Sequence, residues 1–140
     1  MRADARVAIV SRLAEYSRAV EVGIGTRTGV AAGLVDRGVS VTAMDVHERS
    51  VPPGVRFVHD DLTDPTFERY PETSVVYGCN LPPELHRPAY EFARQLDAEL
   101  AFTTLGMDPP TIDVHPETLP GATLFWATEP GTTALTDGDR

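Results

Sequence analysis

Apolar and polar positions along the chain alternate between two periodicities. Three stretches, residues 3–16, 28–37 and 83–98, place apolar side chains at the spacing of an amphipathic helix. Between them lie short, β-branched, mostly apolar stretches typical of buried strands. These predicted strands are 18–22, 39–46, 55–59, 74–78, 100–105 and 122–128, with 111–115 as a further candidate for a short edge strand. Residues 129–140 predict a flexible tail.

Strands that alternate with helices in this way predict an α/β, doubly wound, mostly parallel Rossmann-like sheet in a three-layer α/β/α arrangement. The expected strand order is 3-2-1-4-5 plus one C-terminal strand, within a single domain over residues 1–128. In such sheets a ligand binds at the carboxyl ends of the strands, where the strand order reverses between strands one and four. Chemically active residues are therefore expected at those strand ends.

Composition fits one ordinary globular domain. The chain has 140 residues, of which 41% are hydrophobic and 24% charged. Its one cysteine, Cys79, excludes an internal disulfide and a cysteine-built metal cage, and the four histidines do not pair at metal-ligand spacing, so no metal site is expected. No apolar run is long enough for a membrane span or a secretory leader. The expectation is a cytoplasmic protein.

The charge balance narrows the possible partners. The formal net charge is −9, and all 12 basic residues are arginine. An excess of carboxylates opposes binding to nucleic acid and to anionic membranes. A lysine-free, acidic chain is typical of the cytoplasm of a halophile, although GC-rich codon usage also favours arginine over lysine.

The candidate site begins where the first predicted strand ends. Residues 21–25 read Glu-Val-Gly-Ile-Gly and precede a predicted helix, so Gly23 and Gly25 would allow a tight turn with exposed backbone N–H groups. Asp45 ends the second strand twenty residues after Gly25, the separation at which an acid meets ribose hydroxyls. Asp61 follows the third strand. These elements predict an adenosine-containing ligand; the alternative is a tight turn without a ligand.

A carboxylate two residues before the first glycine is costly to bury, and a nearby cationic group such as the amino group of S-adenosylmethionine would explain it. The Glu-Val-Gly-Ile-Gly stretch resembles the first motif of Rossmann-like methyltransferases. Asp45 resembles their ribose ligand, and Asp61-Leu62 their adenine-contacting pair. The resemblance implies bound S-adenosylmethionine, with cofactor-binding residues Glu21, Gly23, Gly25, Asp45, Asp61 and Leu62.

The exit of the fourth strand is where a methyltransferase would carry its chemistry. Residues 80–83 read Asn-Leu-Pro-Pro and resemble the Asn-Pro-Pro-aromatic motif of amino-methylating enzymes, which implies Asn80 as the catalytic residue. Leu81 is inserted, and Glu84 replaces the aromatic residue. The alternative is that Asn80 caps the following helix. Tyr77, Glu84 and His86 are close enough in sequence to line the same cleft, with His86 as a possible general base.

Two further resemblances bear on function. Overall length, the Glu-Val-Gly loop and the Asn-Leu-Pro-Pro-Glu-Leu stretch resemble a small archaeal family of uncharacterised Rossmann-like proteins, which implies the fold but no reaction. The third glycine of the methyltransferase motif is replaced by Arg27, and that of the nicotinamide fingerprint by Thr28. An arginine over the cleft would counter a pyrophosphate and favour NAD.

Residues 23–61 also resemble the nucleotide-sensing domains of potassium-transport regulators. An NAD-binding sensor and a ligand-free interaction scaffold therefore remain alternatives. About 35 residues follow Leu105, which is little material for a lid. A second subunit of a homo-oligomer, or a macromolecular partner, would then complete a substrate site.

Overall fold

The computed structural model describes residues 1–128, which form one sheet with helices on both faces. The helices are α1 Ala3–Leu13, α2 Gly29–Asp36 and α3 His86–Gln95, with short 3-10 turns at Phe67–Arg69 and Pro83–Leu85. The strands are β1 Arg18–Val22, β2 Ser40–Asp45, β3 Arg56–His59, β4 Val75–Gly78, β5 Glu99–Phe102, β6 Val114–Leu119 and β7 Ala122–Ala127. The tail predicted at 129–140 lies outside the described residues.

The sheet confirms the predicted fold class. Its order is β3-β2-β1-β4-β5-β7-β6, and the pairs from β3 to β5 are all parallel. Strand β7 is antiparallel to both β5 and β6. The edge therefore departs from an all-parallel dinucleotide-binding sheet, whose order is 3-2-1-4-5-6.

Two strands follow β5, where the sequence pattern indicated one strand and a weaker candidate at 111–115. The structure places β6 at Val114–Leu119. Its side chains are largely solvent-exposed and it contains Pro116, so its hydrophobic pattern is weak. An edge strand tolerates proline because one side of its backbone needs no partner.

The helices cover the two faces unequally. Helices α1 and α2 pack against each other on one face, while α3 packs on β4 and β5 from the other. Close contact between α1 and α2 depends on Gly33, where a Cβ would lie 2.8 Å from Cγ2 of Val10. Helix α3 begins at His86 rather than at residue 83, because Pro83–Leu85 form a separate 3-10 turn.

This arrangement opens a crevice at the carboxyl ends of β1, β2 and β4. Strand β1 pairs with β2 on one side and with β4 on the other. The chain leaves β1 toward α2 and leaves β4 toward α3, on opposite faces, so the two exits diverge. None of the helices among the described residues is long and apolar enough to cross a membrane.

Candidate functional site

The loop after β1 presents bare backbone to the crevice. Gly23 and Gly25 have φ values of 65° and 59°, the left-handed region that side chains disfavour. The N–H groups of Gly23 and Ile24 both donate to the carbonyl of Met44 on β2, at 2.9 and 3.2 Å. A Cβ at Gly23 would meet nothing within 4 Å beyond its chain neighbours. The loop is thus fixed to β2 while its outer side is open.

Asp45 fastens the same loop from the end of β2. Its Oδ2 accepts the N–H of Gly25 at 2.8 Å, and its Oδ1 accepts the N–H of His47 at 2.9 Å. Burial alone would raise the pKa of Asp45, but these hydrogen bonds and the nearby charge of Arg49 together lower it. The predicted ribose ligand is therefore an ionised group that also holds the glycine loop.

Arg49 lines the crevice beside Asp45 and is a candidate that the sequence patterns did not indicate. Its Nε lies 3.5 Å from Oδ2 of Asp45, and it is a buried side-chain nitrogen without a hydrogen-bond partner among residues 1–128. A buried N–H without a partner is costly and is a natural place for a ligand acceptor. The only sequence signal is its position four residues after Asp45, which has no special meaning outside a helix.

A smaller cleft of about 340 Å³ lies on the β2 side of the glycine loop. Asp61 is exposed at its rim, where Oδ1 accepts both the N–H and the hydroxyl of Thr63, and these bonds lower the pKa of Asp61. Leu62 is buried and packs into the core beside it. The predicted site residues in this lining are Gly23, Gly25, Asp45, Asp61, Leu62 and Asn80.

Glu21, the remaining predicted residue, lies beneath the crevice and outside its lining. It is 2% exposed, and its Oε1 accepts the hydroxyl of Tyr77 at 2.7 Å. Burial raises the pKa of Glu21 to about 8, although the Tyr77 hydrogen bond opposes the shift. Burial, and then the proximity of Glu21, raise the pKa of the Cys79 thiol. The floor of the crevice, formed by Glu21 and Cys79, is therefore uncharged near pH 7.

Asn80 follows β4 in a left-handed conformation, with φ of 53°. Its N–H donates to Oγ1 of Thr103 at 2.8 Å, so the end of β5 holds the turn in place. The 3-10 turn that follows has no side-chain cap, so Asn80 does not cap it. Among residues 1–128 the Asn80 side-chain amide forms no hydrogen bond, and the residue lines the crevice on both sides of the glycine loop.

His86 is a structural residue, and the prediction that it acts as a general base is wrong. The ring is fully buried, and its Nδ1 accepts the N–H of Thr111 at 3.1 Å. Its Nε2 must then carry the proton, which it donates to the carbonyl of Leu81 at 3.0 Å. Both nitrogens are occupied. Neither Tyr77 nor Glu84 lines the clefts beside the glycine loop.

A larger cleft of about 610 Å³ lies on the α1 side of the same loop. Arg6 of α1 and Arg27 of the loop line it, together with apolar side chains, and no carboxylate is among its lining residues. The two clefts share Gly23, Gly25, Cys79 and Asn80. The crevice thus has an acidic side and a basic side. No group of three or more His, Cys, Asp or Glu residues able to hold a metal lies within the described chain.

Sheet order, glycine loop and crevice define a Rossmann-like protein with the fold of methyltransferases. Magnesium protoporphyrin IX methyltransferase from Synechocystis PCC 6803, solved with bound SAM, is similar with a TM-score of 0.59 at 11% identity, over 89% of this chain and 78% of that one. The N-terminal domain of EvdMO1, solved with bound SAH, has a TM-score of 0.58 at 13% identity, over 89% and 64% of the two chains. At such low sequence identity, these two structural similarities show a shared fold and nothing further.

The particular family is given by sequence. Residues 4–129 match the Uncharacterised protein family (UPF0146), and the chain belongs to it. A UPF0146 protein of Halobacterium salinarum is 43% identical over 120 residues, which cover 85% of this chain and 93% of that protein. One of Archaeoglobus fulgidus is 44% identical over 88 residues, 63% of this chain and 68% of the relative. The small archaeal family that the Glu-Val-Gly loop indicated is confirmed.

Proposed function

We propose that the crevice binds S-adenosylmethionine and that the protein is a methyltransferase. The observation that carries this proposal is the glycine loop, whose outer side is open and which an ionised Asp45 fastens from β2. Such a loop lets a ligand approach backbone N–H groups closely, as nucleotide-binding turns do. The structural neighbours solved with SAM or SAH support the same class of cofactor.

The smaller cleft fits an adenosine. Asp45 keeps free lone pairs after accepting two backbone N–H groups, so it would bind ribose hydroxyls. The Nε of Arg49, which is ion-paired with Asp45 but has no hydrogen-bond partner among residues 1–128, would donate to a ribose oxygen. Asp61 would accept from the adenine amino group, and Leu62 would contact the base. A volume of about 340 Å³ is within the range of small-ligand sites.

Glu21 would act from beneath. With its pKa raised to about 8 by burial, it holds a proton at neutral pH in the ligand-free protein. A bound cationic amino group near it would favour the carboxylate form and lower that pKa. Glu21 would thus act on the amino end of the cofactor through its charge, without direct contact, and would lose its proton on binding.

The chemistry would be methyl transfer by positioning. When bound, the cofactor supplies an electrophilic methyl group. The side-chain amide of Asn80 would hold the acceptor by its oxygen, which orients the acceptor's lone pair, and the Thr103 hydroxyl holds the backbone of Asn80 in place. His86 has no free nitrogen for proton removal.

Calorimetric titration of the folded protein with S-adenosylhomocysteine and with NAD, at one fixed high salt concentration, tests the cofactor. We expect S-adenosylhomocysteine to bind and 5′-methylthioadenosine, which lacks the amino-acid end, to bind more weakly. NAD should not bind. Binding of NAD alone would support a sensor, and failure of both at millimolar ligand would support a scaffold without a cofactor.

One observation favours the second candidate, an NAD-binding sensor. Arg27 lines the larger cleft next to Gly25, where a pyrophosphate would need counter-charge. The same titrations repeated on Arg27→Gln separate the two, because NAD binding would depend strongly on Arg27 whereas 5′-methylthioadenosine binding would not.

We also propose a halophilic, cytoplasmic setting without nucleic-acid or membrane partners. The net charge of −9 and the Halobacterium relative support it. Screening of carboxylate repulsion should then raise the free energy of unfolding from 0.1 M to molar KCl. Sedimentation at the higher salt would report whether the chain forms a homo-oligomer.

A further inference from the structure

We infer that the larger cleft is the acceptor site and that it takes an anion with an apolar body. The acceptor role of this cleft rests on the proposed function, whereas the binding of an apolar anion does not. The cleft, of about 610 Å³, shares the glycine loop and Asn80 with the cofactor side, but its arginines and apolar side chains have no role in the proposed binding of S-adenosylmethionine.

Charge is the first argument. Arg6 and Arg27 both line the cleft, and neither has an ion pair within the described chain. The sequence has 21 acidic residues and 12 arginines, so these two guanidinium groups have no counter-ion although carboxylates are in excess. Five other arginines do pair with carboxylates, namely Arg2, Arg12, Arg18, Arg49 and Arg87. Because no carboxylate lines this cleft, an anion bound there would meet the two arginines without repulsion from a like charge in the lining.

Packing is the second argument, because it directs Arg6 over the cleft. A Cβ at Gly29 would lie 2.6 Å from Cδ of Arg6, so the missing side chain at Gly29 lets the stem of Arg6 cross the first turn of α2. Arg27 approaches from the loop before that turn. The N-cap residue Thr28 makes no side-chain cap, so the first N–H groups of α2 add partial positive charge. Two arginines from different elements thus line the same cleft.

Apolar lining is the third argument, because it gives the anion a body. Ile24 and Val30 are 3% and 5% exposed and form the inner wall. Leu105, 63% exposed, and Met1, 40% exposed, stand at the rim. Large apolar side chains left in water at the edge of a cleft are typical of a ligand-binding surface. A small inorganic anion would leave this surface uncovered.

The arginines exceed what the cofactor's own carboxylate needs. One carboxylate is satisfied by one guanidinium in a bidentate pair. The second arginine, the apolar rim and most of the volume would remain. The cleft also shares Asn80 with the adenosine side, so its occupant would lie against the proposed catalytic residue.

The probes are 4-phenylbutyrate, an apolar anion, and its uncharged amide 4-phenylbutyramide. Each is titrated into the ligand-free protein and into protein saturated with S-adenosylhomocysteine, at the same salt. We expect phenylbutyrate to bind both forms at least tenfold more tightly than the amide. Equal affinity for the two probes overturns the inference. So does binding to the free form that saturation abolishes, because the arginines then serve the cofactor.

Three variants locate the binding. Arg6→Gln and Arg27→Gln should each weaken phenylbutyrate at least tenfold. Gly29→Ala keeps both charges but displaces Arg6, and should weaken it severalfold. The control Arg37→Gln removes another arginine that has no ion pair among residues 1–128, at the far end of α2. Unchanged affinity in all three variants overturns the inference. If S-adenosylhomocysteine does not bind but phenylbutyrate does, the proposed function is refuted and the binding of an apolar anion stands.

Discussion

The two clefts beside the glycine loop differ in how their charged groups are satisfied. In the smaller cleft Asp45 and Asp61 accept hydrogen bonds from the protein's own backbone. In the larger cleft Arg6 and Arg27 have no carboxylate partner among the described residues. The first side is organised before a ligand arrives, which lowers the cost of binding. The second side is incomplete without one.

The difference separates what the fold supplies from what the chain adds. The carboxyl ends of β1 and β2 bring Gly25 and Asp45 together, a pairing that follows from the strand order itself. Arg6 and Arg27 come from α1 and a loop, which the sheet does not constrain. We therefore expect the smaller cleft to bind the general ligand of the fold and the larger one to carry specificity.

Glu21 lies under both clefts and gives the largest expected effect. Its pKa, raised by burial to about 8, favours the neutral form in the folded state. In the unfolded chain it ionises near pH 4.5. The stability contributed by the neutral form is therefore fully present below about pH 4.5 and is lost as pH rises toward 8. The loss is about 1.4 kcal/mol per pH unit.

Glu21→Gln removes this titration and keeps an acceptor for Tyr77. Urea unfolding at several pH values between 5 and 8 should give a variant that gains on the wild type by about 1.4 kcal/mol per unit. Glu84→Gln, an exposed position, is the control. Parallel pH profiles for wild type and Glu21→Gln would mean that Glu21 is already charged in the folded protein, so the floor shared by the two clefts would not be neutral.

Asp45→Ala should separate the clefts directly. It removes the acceptor of two backbone N–H groups and the proposed ribose ligand, so affinity for S-adenosylhomocysteine should fall by about 1–3 kcal/mol. Phenylbutyrate affinity should fall less than S-adenosylhomocysteine affinity, because Asp45 holds the shared glycine loop but does not line the larger cleft. Calorimetry of both ligands on one preparation measures this. A parallel loss of both affinities would show that the clefts are one site.

Gly23→Ala tests the open side of the loop. With φ of 65°, alanine there costs about 1–2 kcal/mol of stability. Its methyl group would also project toward the crevice, where nothing now stands within 4 Å. Gly38→Ala is matched: φ is 87°, the surroundings are equally open, and it lies after α2, away from the clefts. Both variants should lose similar stability, but only Gly23→Ala should weaken S-adenosylhomocysteine. Equal binding by the two would remove the loop from the site.

Sequence patterns predicted the smaller cleft better than the larger one, for a physical reason. Strand periodicity and the spacing from Gly25 to Asp45 report on parallel pairing, which is local and repetitive. Arg6 packs against Gly29 between two helices that touch only in the folded chain, so no spacing in the sequence indicates this contact. The same holds for Thr103, whose hydroxyl holds the N–H of Asn80 across from β5. The prediction for His86 failed because the sequence does not show that the N–H of Thr111 donates to the Nδ1 of His86 in the folded chain.

Leu105→Ser gives the smallest effect on stability and the sharpest test of the larger cleft. The side chain is 63% exposed, so the free energy of unfolding should change by no more than about 0.5 kcal/mol. Burial of each methylene group of Leu105 under a bound ligand would contribute at most about 0.8 kcal/mol to binding. The serine variant loses this contribution, so phenylbutyrate should bind severalfold more weakly. S-adenosylhomocysteine affinity should stay the same, since the smaller cleft does not include Leu105. Val7→Ser, 60% exposed on α1 and outside both linings, is the control. If Leu105→Ser and Val7→Ser bind phenylbutyrate equally well, the apolar rim takes no part, and the larger cleft reduces to a site for the charge alone.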